Sequence, residues 1–454
     1  MSDVMKDIVA LCKRRGIIYP NSEIYGGFAN TWDYGPYGVL LKNNVKKIWW
    51  EDIVMKRSDI VGLDSAILMN PKVWEASGHL TEFTDPLVEC KKCHTRFKAD
   101  QPVDKCPECK GKDFTDPRRF NLMFKTYVGP AEASGPDLRF GEPQGSEKGT
   151  PARWDVASTV YLRPETAQGI FANFKNVLDS TRVKLPFGIA QIGKAFRNEI
   201  TPGNFTFRTL EFEQFELEYF VYPKEAEATF RDWCRARLDW YVSLGINKNK
   251  LRLTDHSEKD LAHYAKAVSD VEYEFPFGWS ELEGVANRGD YDLVQHQKFS
   301  GEDLSYFNEG TKEKILPYVI EPSGGVDRTI LALLVDAYRE EEVNGEKRTV
   351  LSLHPKLAPI KAAILPLVKK DPELVKIAQQ IYENLKPHFF VEYDEDGTVG
   401  KRYRRQDEIG TPFCITVDSD SLNDNTVTIR HRDTMQQDRI EITQVAKWLG
   451  SKLE

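Results

Sequence analysis

The sequence predicts an α+β core built on an antiparallel sheet with helices, interrupted by a small cysteine-paired insertion and followed by a separate α/β domain. Three observations carry this reading. Two alternating apolar and polar runs flank the turn signal Thr201-Pro-Gly-Asn204, the pattern of an antiparallel hairpin. Two Cys-x2-Cys pairs, Cys90/Cys93 and Cys106/Cys109, have the close spacing of a zinc ribbon. From residue 361 onward the chain turns to a strand–helix–strand pattern.

The bulk numbers agree. A chain of 454 residues is too long for one ordinary core, so two or three domains are expected. With 41% hydrophobic and 29% charged residues it has the composition of a soluble globular protein. No apolar run reaches the ~18 residues of a membrane span. The first sixteen residues lack the apolar core of a signal peptide, so a cytoplasmic protein is expected. A net charge of −8 argues against blanket binding to nucleic acid but leaves room for local basic patches. Seven cysteines in such a chain fit a metal site or buried thiols rather than a disulfide framework, and Cys12, Cys234 and Cys414 are expected as buried thiols.

Along the chain, Leu41, Val45, Ile48 and Ile53 recur near helical spacing within 35–56. That stretch runs into Ile60–Met69 and stops at Asn70-Pro71. An insertion is placed at 86–150, where the cysteine pairs precede a Gly/Pro/Ser-rich surface loop, Gly129 to Pro151. Strand-like alternation dominates from Arg153 to Phe220. A helix is expected over Lys224–Leu244, and a turn followed by a helix over Ser323–Tyr338. Glu340–Thr349 is charged, carries Asn344-Gly345, and reads as a linker between a first domain at 1–345 and a second at 355–454. In the second domain, Lys361–Leu367 is a strand, and Asp371-Pro372 starts a helix with Asp as cap and Pro at the first position. That helix continues over Leu374–Leu385. Phe389–Tyr393, Pro412–Val417 and Thr426–Arg430 are further strands, and Ile442–Leu453 is a closing helix.

The hairpin Gln191–Phe220 carries the chemistry. Arg197 and Glu199 stand two residues apart, hence on one face of a strand, and Glu216 and Glu218 share a face of the return strand. A fixed guanidinium can grip a phosphate where charge builds up during attack. The charges alone fit a cross-strand ion-pair ladder equally well. Gly188-x4-Gly193-Lys194 has the spacing of a P-loop, but Ala195 stands where the metal-binding Ser/Thr belongs, which excludes it. In Glu321-Pro-Ser-Gly-Gly-Val-Asp-Arg328 the glycines admit close backbone approach, and an Arg at a helix start strengthens an anion site. A glycine turn before a core helix is the plain alternative.

Phe196-Arg-Asn-Glu199 with Phe207-Arg-Thr-Leu-Glu-Phe-Glu-Gln-Phe-Glu216 resembles motif 2 of the class II aminoacyl-tRNA synthetases. Glu321–Arg328 resembles motif 3, and residues 38–71 resemble motif 1, which builds the family's dimer interface. Leu162-Arg-Pro-Glu-Thr-Ala-Gln-Gly-Ile170 and Trp74-Glu-Ala-Ser-Gly-His79 look like the dimeric glycyl-tRNA synthetases, and the likeness covers nearly the whole chain. It implies a class II antiparallel core, ATP with Mg²⁺, a homodimer, and attachment of glycine to tRNA(Gly) through glycyl-adenylate.

The resemblance also implies roles. Arg197, Glu199 and Arg328 would be catalytic. ATP would lie against these and against Asn198, Phe207, Arg208, Thr209, Leu210, Glu211, Phe212, Gly325, Val326 and Asp327. Glu281, Leu282 and Arg288 match a third family segment, with Glu281 holding Mg²⁺ and Arg288 near the reacting phosphate. Glu165, Glu216 and Glu321 would surround the glycine ammonium and Ser323 would face the α-carbon, with Phe212, Glu213, Gln214, Phe215, Pro322, Gly324 and Gly325 around them. Lys98 stands where the family has an Arg, keeping the charge and losing the fork. Cys90, Cys93, Cys106 and Cys109 would hold a structural zinc, the alternative being a knuckle that folds without metal. Gly400–Thr416 looks like the anticodon-binding domain shared by the glycyl, histidyl, prolyl and threonyl enzymes. Its four basic residues around Tyr403, with Arg430-His-Arg432, suit phosphate contacts and base stacking, or else a solvated helix face. Two rivals stand: a non-catalytic paralogue that binds nucleic acid as an accessory subunit, and a prolyl or threonyl specificity.

Overall fold

The computed structural model describes residues 3–99, 104–128, 158–201, 203–257, 259, 261–262, 264–343 and 345–453. The expected surface loop 129–151, Asp100, Pro202 of the turn signal and Asn344 lie outside the described residues. A helix α1 (Asp3–Arg14) precedes α2 (Pro36–Trp50), which starts on a proline suited to a first helical position and buries Leu41, Val45 and Trp49. A π-turn, Glu51–Met55, extends α2 before a short strand β1 (Ile60–Gly62).

The alternation expected from Arg153 to Phe220 is broken by a helix, α3 (Ala167–Ser180). Ala167, Ile170, Phe171, Phe174 and Val177 are all buried and recur at i, i+3, i+4, i+7, so the helical period overrides the short-range alternation. Then come β2 (Phe187–Phe196), β3 (Glu211–Val221), α4 (Ala226–Ser243), β4 (Leu251–Asp255), β5 (Ala267–Phe275), β6 (Gly278–Gly289), α5 (Tyr291–Ser300), β7 (Tyr318–Gly325) and α6 (Val326–Ala337). The strands form one seven-stranded sheet in the order β4-β5-β6-β7-β3-β2-β1. It is antiparallel except where β1 runs parallel to β2. Odd-numbered residues of β3, such as Phe215 and Leu217, pack into the main core with α2, α4 and α6; Phe215 stacks on Trp49 at 5.1 Å. Phe220 and, on β2, Phe187 and Ile189 pack against α3 on the opposite face. The rest of that second face carries Gln214, Glu216, Glu321 and Ser323 among a few apolar residues.

Two expectations are corrected. Ser323, Gly324 and Gly325 do not form a turn: they stay in β7, paired with Glu216, Phe215 and Gln214, and the chain passes from strand directly into α6. The expected linker is a hairpin, β8 (Tyr338–Val343) and β9 (Glu346–Leu351), with Gly345 at φ +76°. Asn-Gly is a favoured two-residue hairpin turn, and the charges that read as linker pair across it, Lys347 with Glu340 and Arg348 with Glu341.

A second sheet follows, from β10 (Ala362–Pro366), α7 (Pro372–Leu385), β11 (Val391–Tyr393), α8 (Val399–Ile409), β12 (Phe413–Val417), β13 (Thr426–His431), β14 (Gln437–Glu441) and α9 (Val445–Leu453). Its order is β11-β10-β12-β13-β14, and it has its own core around Ile364, Ile381, Ile415 and Leu449. Asp371 caps α7 as expected, accepting from the amides of Glu373 and Leu374. The basic run is largely committed inside this fold. Arg402 is 2% exposed and donates to the carbonyls of Pro366 and Leu367, and Arg405 pairs with Asp394. Arg430 and Arg348 clamp the buried Asp407, and Arg432 donates to Gly410 and Leu353 carbonyls. Lys401 is left exposed. Where α2 meets this part, Asn44 donates to the Leu357 and Ala358 carbonyls and the Tyr37 hydroxyl to Glu392.

The strands Thr84–Glu89, Arg96–Lys98 and Arg118–Asn121 form a small sheet that carries the four paired cysteines, with Thr84 opposite Asn121 at its base. Cys12, Cys234 and Cys414 are buried free thiols, and burial pushes them up to about 12, about 11 and about 12. Among the described residues no helix is long and apolar enough to cross a membrane.

Candidate active site

The polar half of the sheet's second face forms the floor of a cavity of about 310 Å³. β3 contributes Gln214 and Glu216, and β7 contributes Glu321, Ser323, Gly324 and Gly325. The segment before α3 adds Glu165, and β6 adds Glu281. The hairpin connection adds Arg197, Glu199, Phe207, Arg208 and Thr209, the first residues of β3 add Phe212, and the start of α6 adds Asp327 and Arg328.

One end of the cavity is acidic. Glu165, Glu216 and Glu321 are 9%, 1% and 7% exposed, and each is held by a different donor. His79 Nε2 lies 3.3 Å from Glu165 Oε2, and Gln168 Nε2 donates to Glu165 Oε1 at 3.1 Å. Thr166 Oγ1 donates to Glu216 Oε2 at 2.7 Å. Arg288 Nη1 reaches both oxygens of Glu321 at 2.9 Å. The environments push the three acids apart. Burial would raise Glu165, but His79, Arg288 and Gln168 hold it below the usual carboxylate range. Burial first, and then Glu321 and Glu165, push Glu216 up to about 8. Burial pushes Glu321 up to about 7 against the pull of Arg288. A cluster so short of cations is built to receive one.

The other end is cationic. β2 stops at Phe196, so Arg197 and Glu199 are not on a strand face as expected but on the connection just beyond it. Arg197 is fixed by Nε donating to the Pro164 carbonyl at 3.0 Å, with its guanidinium 5.4 Å from the Phe83 ring and 5.3 Å from Phe212. Arg328 stands in the first turn of α6, 3.0 Å from Glu281 Oε2 and over the Phe207 ring. Burial works to raise Glu281, but Arg328 and Arg197 outweigh it and hold it low. Asp327 locks α6 in place, accepting from Tyr34 Oη, Lys42 Nζ and the Glu213 amide.

Residues 155–337 match the tRNA synthetase class II core domain (G, H, P, S and T), and residues 361–452 match the anticodon binding domain. The glycine–tRNA ligase of Alkaliphilus oremlandii is 54% identical over 99% of this chain and 98% of its own. That of Thermobifida fusca is 51% identical over 100% of this chain and 98% of its own. The chain belongs to the glycine–tRNA ligase family. A prolyl-tRNA synthetase from Cryptosporidium parvum, solved with L-proline and AMP, shares the fold at a TM-score of 0.63 and 14% identity, covering 98% of this chain and 78% of that one. The class II core followed by an anticodon-binding domain is thus borne out.

Within this member of the glycine–tRNA ligase family, several residues expected at the site lie elsewhere. Arg288 is 1% exposed, and its guanidinium is taken up by Asp292 and Glu321, so it supports an acid of the site and does not offer a free fork to a phosphate. Lys98 is paired with Asp85 at 2.5 Å, outside the cavity wall. Phe215, Leu282, Pro322 and Val326 are buried in packing. Glu211 pairs with Lys194, and Glu213 with Lys42 and Lys46, away from the cavity. The Asn198 backbone N–H donates to the Leu122 carbonyl and that of Leu210 to the Asn30 carbonyl; neither side chain lines the wall. Conversely, His79, Thr166 and Gln168 hold the acids and Asp292 holds Arg288, and no role was read for them in the sequence. Nor was one for His256 and Asp270, which line the cavity with Nε2 2.7 Å from Oδ2. Burial, with Glu281 adding to it, pushes Asp270 up to about 6.

Proposed function

We propose that this chain attaches glycine to tRNA(Gly), through glycyl-adenylate formed from glycine and ATP. What carries the reading is the pairing of a three-carboxylate end with a two-arginine end in one small cavity. Glycine offers only an ammonium and a carboxylate to grip. Glu165, Glu216 and Glu321 take the ammonium, and Ser323 and Gly324 line the wall beside it. The glycine carboxylate attacks the α-phosphorus of ATP in line and pyrophosphate leaves. Arg197 and Arg328 stabilise the negative charge that builds on the phosphates, and positioning supplies the rest. Glu281, a half-exposed carboxylate facing the cavity, fits as the residue that holds Mg²⁺ on the ATP phosphates, where the ion would neutralise charge. The 3′-terminal adenosine hydroxyl of tRNA then attacks the adenylate carbonyl, and AMP leaves. Any larger side chain meets the wall, a stronger filter than a missing methylene, worth roughly 1–3 kcal/mol.

Residues 1–345 are proposed as the catalytic part and 355–454 as the part that binds the anticodon. The four knuckle cysteines fit a structural zinc. Their Sγ atoms lie within 4.8 Å of one another, near the ~3.8 Å edges of a tetrahedron with Zn–S bonds of about 2.3 Å. A cytoplasmic homodimer completes the proposal. It is supported by the motif 1 resemblance and by Ile24, Tyr25 and Phe28 beside that region, which stand 88%, 87% and 61% exposed.

The test is amino-acid-dependent ATP–pyrophosphate exchange with glycine, alanine, serine and proline. Glycine alone should support exchange, and Arg197→Ala should abolish it while the protein stays folded. Exchange with proline alone would sink the glycine assignment. Absence of exchange with all four would favour a nucleic-acid-binding accessory subunit.

A further inference from the structure

Behind the acidic end of the cavity lies a fourth glutamate that does not touch the substrate space. Glu218 follows Glu216 on the same face of β3, is 0% exposed, and does not line the cavity. One carboxylate oxygen from each of Glu216, Glu218 and Glu321 lies within 4.8 Å of the other two. Three carboxylates this close, out of water, do not all ionise together.

The donors around them show where the neutral one sits. Arg288 on β6 gives its hydrogen bonds to Asp292 of α5 and to Glu321 of β7, and none to Glu218. Thr166 serves Glu216 Oε2. Both oxygens of Glu218 are buried with no donor among the described residues, and so is Glu216 Oε1. A buried carboxylate anion with no donor at all is among the least sustainable groups in a protein interior. A carboxylic acid in the same place has an O–H to give, and Glu216, in the same cluster, has in Oε1 a buried acceptor that lacks a donor.

We propose that Glu218 is a positioning residue of the ammonium site: it stays a neutral carboxylic acid after Glu216 and Glu321 have ionised and directs its O–H at Glu216, leaving the cluster's negative charge on Glu216 and Glu321, which face the cavity. The charged and titratable groups that face Glu218 are Glu216 on its own strand, Glu321, Arg288 and Asp292. Of these only Arg288 favours its ionisation, and burial with the three acids pushes Glu218 well above the usual carboxylate range. The proposal rests on the ammonium-site reading for its function. Its protonation state can be read without substrate.

Infrared spectra of the ligand-free protein with ¹³C-labelled glutamate, taken at about pH 9.5 where Glu216 and Glu321 have ionised, should show a protonated-carboxyl C=O band that Glu218→Gln removes. In pyrophosphate exchange, Glu218→Gln should keep the glycine KM within about twofold of the parent, because the amide also donates. Glu218→Leu should raise it about tenfold or more with the ATP KM unmoved. Absence of the band, or a band that survives in Glu218→Gln, overturns the proposal. So does a Glu218→Gln protein that fails to fold, or one whose glycine KM rises as far as that of Glu218→Leu, since either means that the charge is needed. A Glu218→Leu protein with the parent's glycine KM removes the positioning role. If the band behaves as expected but glycine supports no exchange, the glycine reading fails and the neutral Glu218 stands.

Discussion

Replacing Arg288 by methionine (R288M) isolates what one buried guanidinium does. Methionine keeps much of the apolar volume, so the loss is mainly electrostatic. Arg288 holds Asp292 through two bonds, 2.7 and 2.8 Å, and Glu321 through two of 2.9 Å. Without it, Glu321 takes up a proton cheaply at neutral pH, since it already stands at about 7. Asp292 keeps one donor, Gln168 at 2.9 Å, and loses both bonds to the guanidinium. A buried pair that loses one partner typically costs ~3–5 kcal/mol. Without the guanidinium, Glu321 stays protonated above about pH 7, where the parent's has ionised and the unfolded state has released its proton, so the penalty grows with pH above about 7 by up to about 1.4 kcal/mol per unit. Urea titrations of parent and variant at several pH values measure this, and exchange kinetics give the companion reading. The glycine KM should rise and the ATP KM should change little. A penalty below about 1 kcal/mol at neutral pH, a penalty independent of pH, or a loss confined to the ATP KM would refute the reasoning. The last result would also restore the phosphate role expected from the sequence.

Three further outcomes are expected. Glu216 at about 8 and Glu321 at about 7 must be ionised to hold an ammonium, so the glycine KM should climb as pH falls from about 8.5 to about 6, while the ATP KM shifts less; a flat profile would contradict their assignment. A Cβ on Gly38 would sit 1.8 Å from the Ile17 carbonyl oxygen, which is backbone and cannot swing aside. Gly38→Ala should therefore cost at least about 1–3 kcal/mol in urea titration, and a neutral effect would mean that α2 can move off the backbone at Ile17. Purified protein should contain about one zinc per chain by elemental analysis, and Cys106→Ser should lose it and expose the knuckle to proteolysis while the seven-stranded sheet stays folded.

The hairpin, the capped α7 and the cysteine pairs were legible because each is local: alternation, a cap and a spacing lie within a few residues of one another. The acidic end was legible only in part. Glu165, Glu216 and Glu321 come from segments far apart in the chain, and resemblance, not periodicity, joined them. Their supports escaped, because nothing near His79, Thr166 or Gln168 in sequence says which carboxylate it will meet. Arg288 shows the converse failure. The resemblance put it near the reacting phosphate, whereas the fold brings Asp292 and Glu321 to both sides of it. Helix α3 was hidden because its first apolar residues follow a strand-like run, and β8–β9 because a short charged hairpin and a linker share a composition.

The pairing of Thr84 with Asn121 has a practical consequence. The chain enters and leaves the cysteine knuckle through one doorway, with its two ends already hydrogen-bonded neighbours. Flexible chain can be added between the strands of that span at little cost to the rest of the fold, because closing a longer loop from a fixed doorway costs only about 0.6 kcal/mol per doubling. The knuckle is therefore where a reporter or an extra module can be grafted onto this enzyme without disturbing the register of the sheet that does the chemistry.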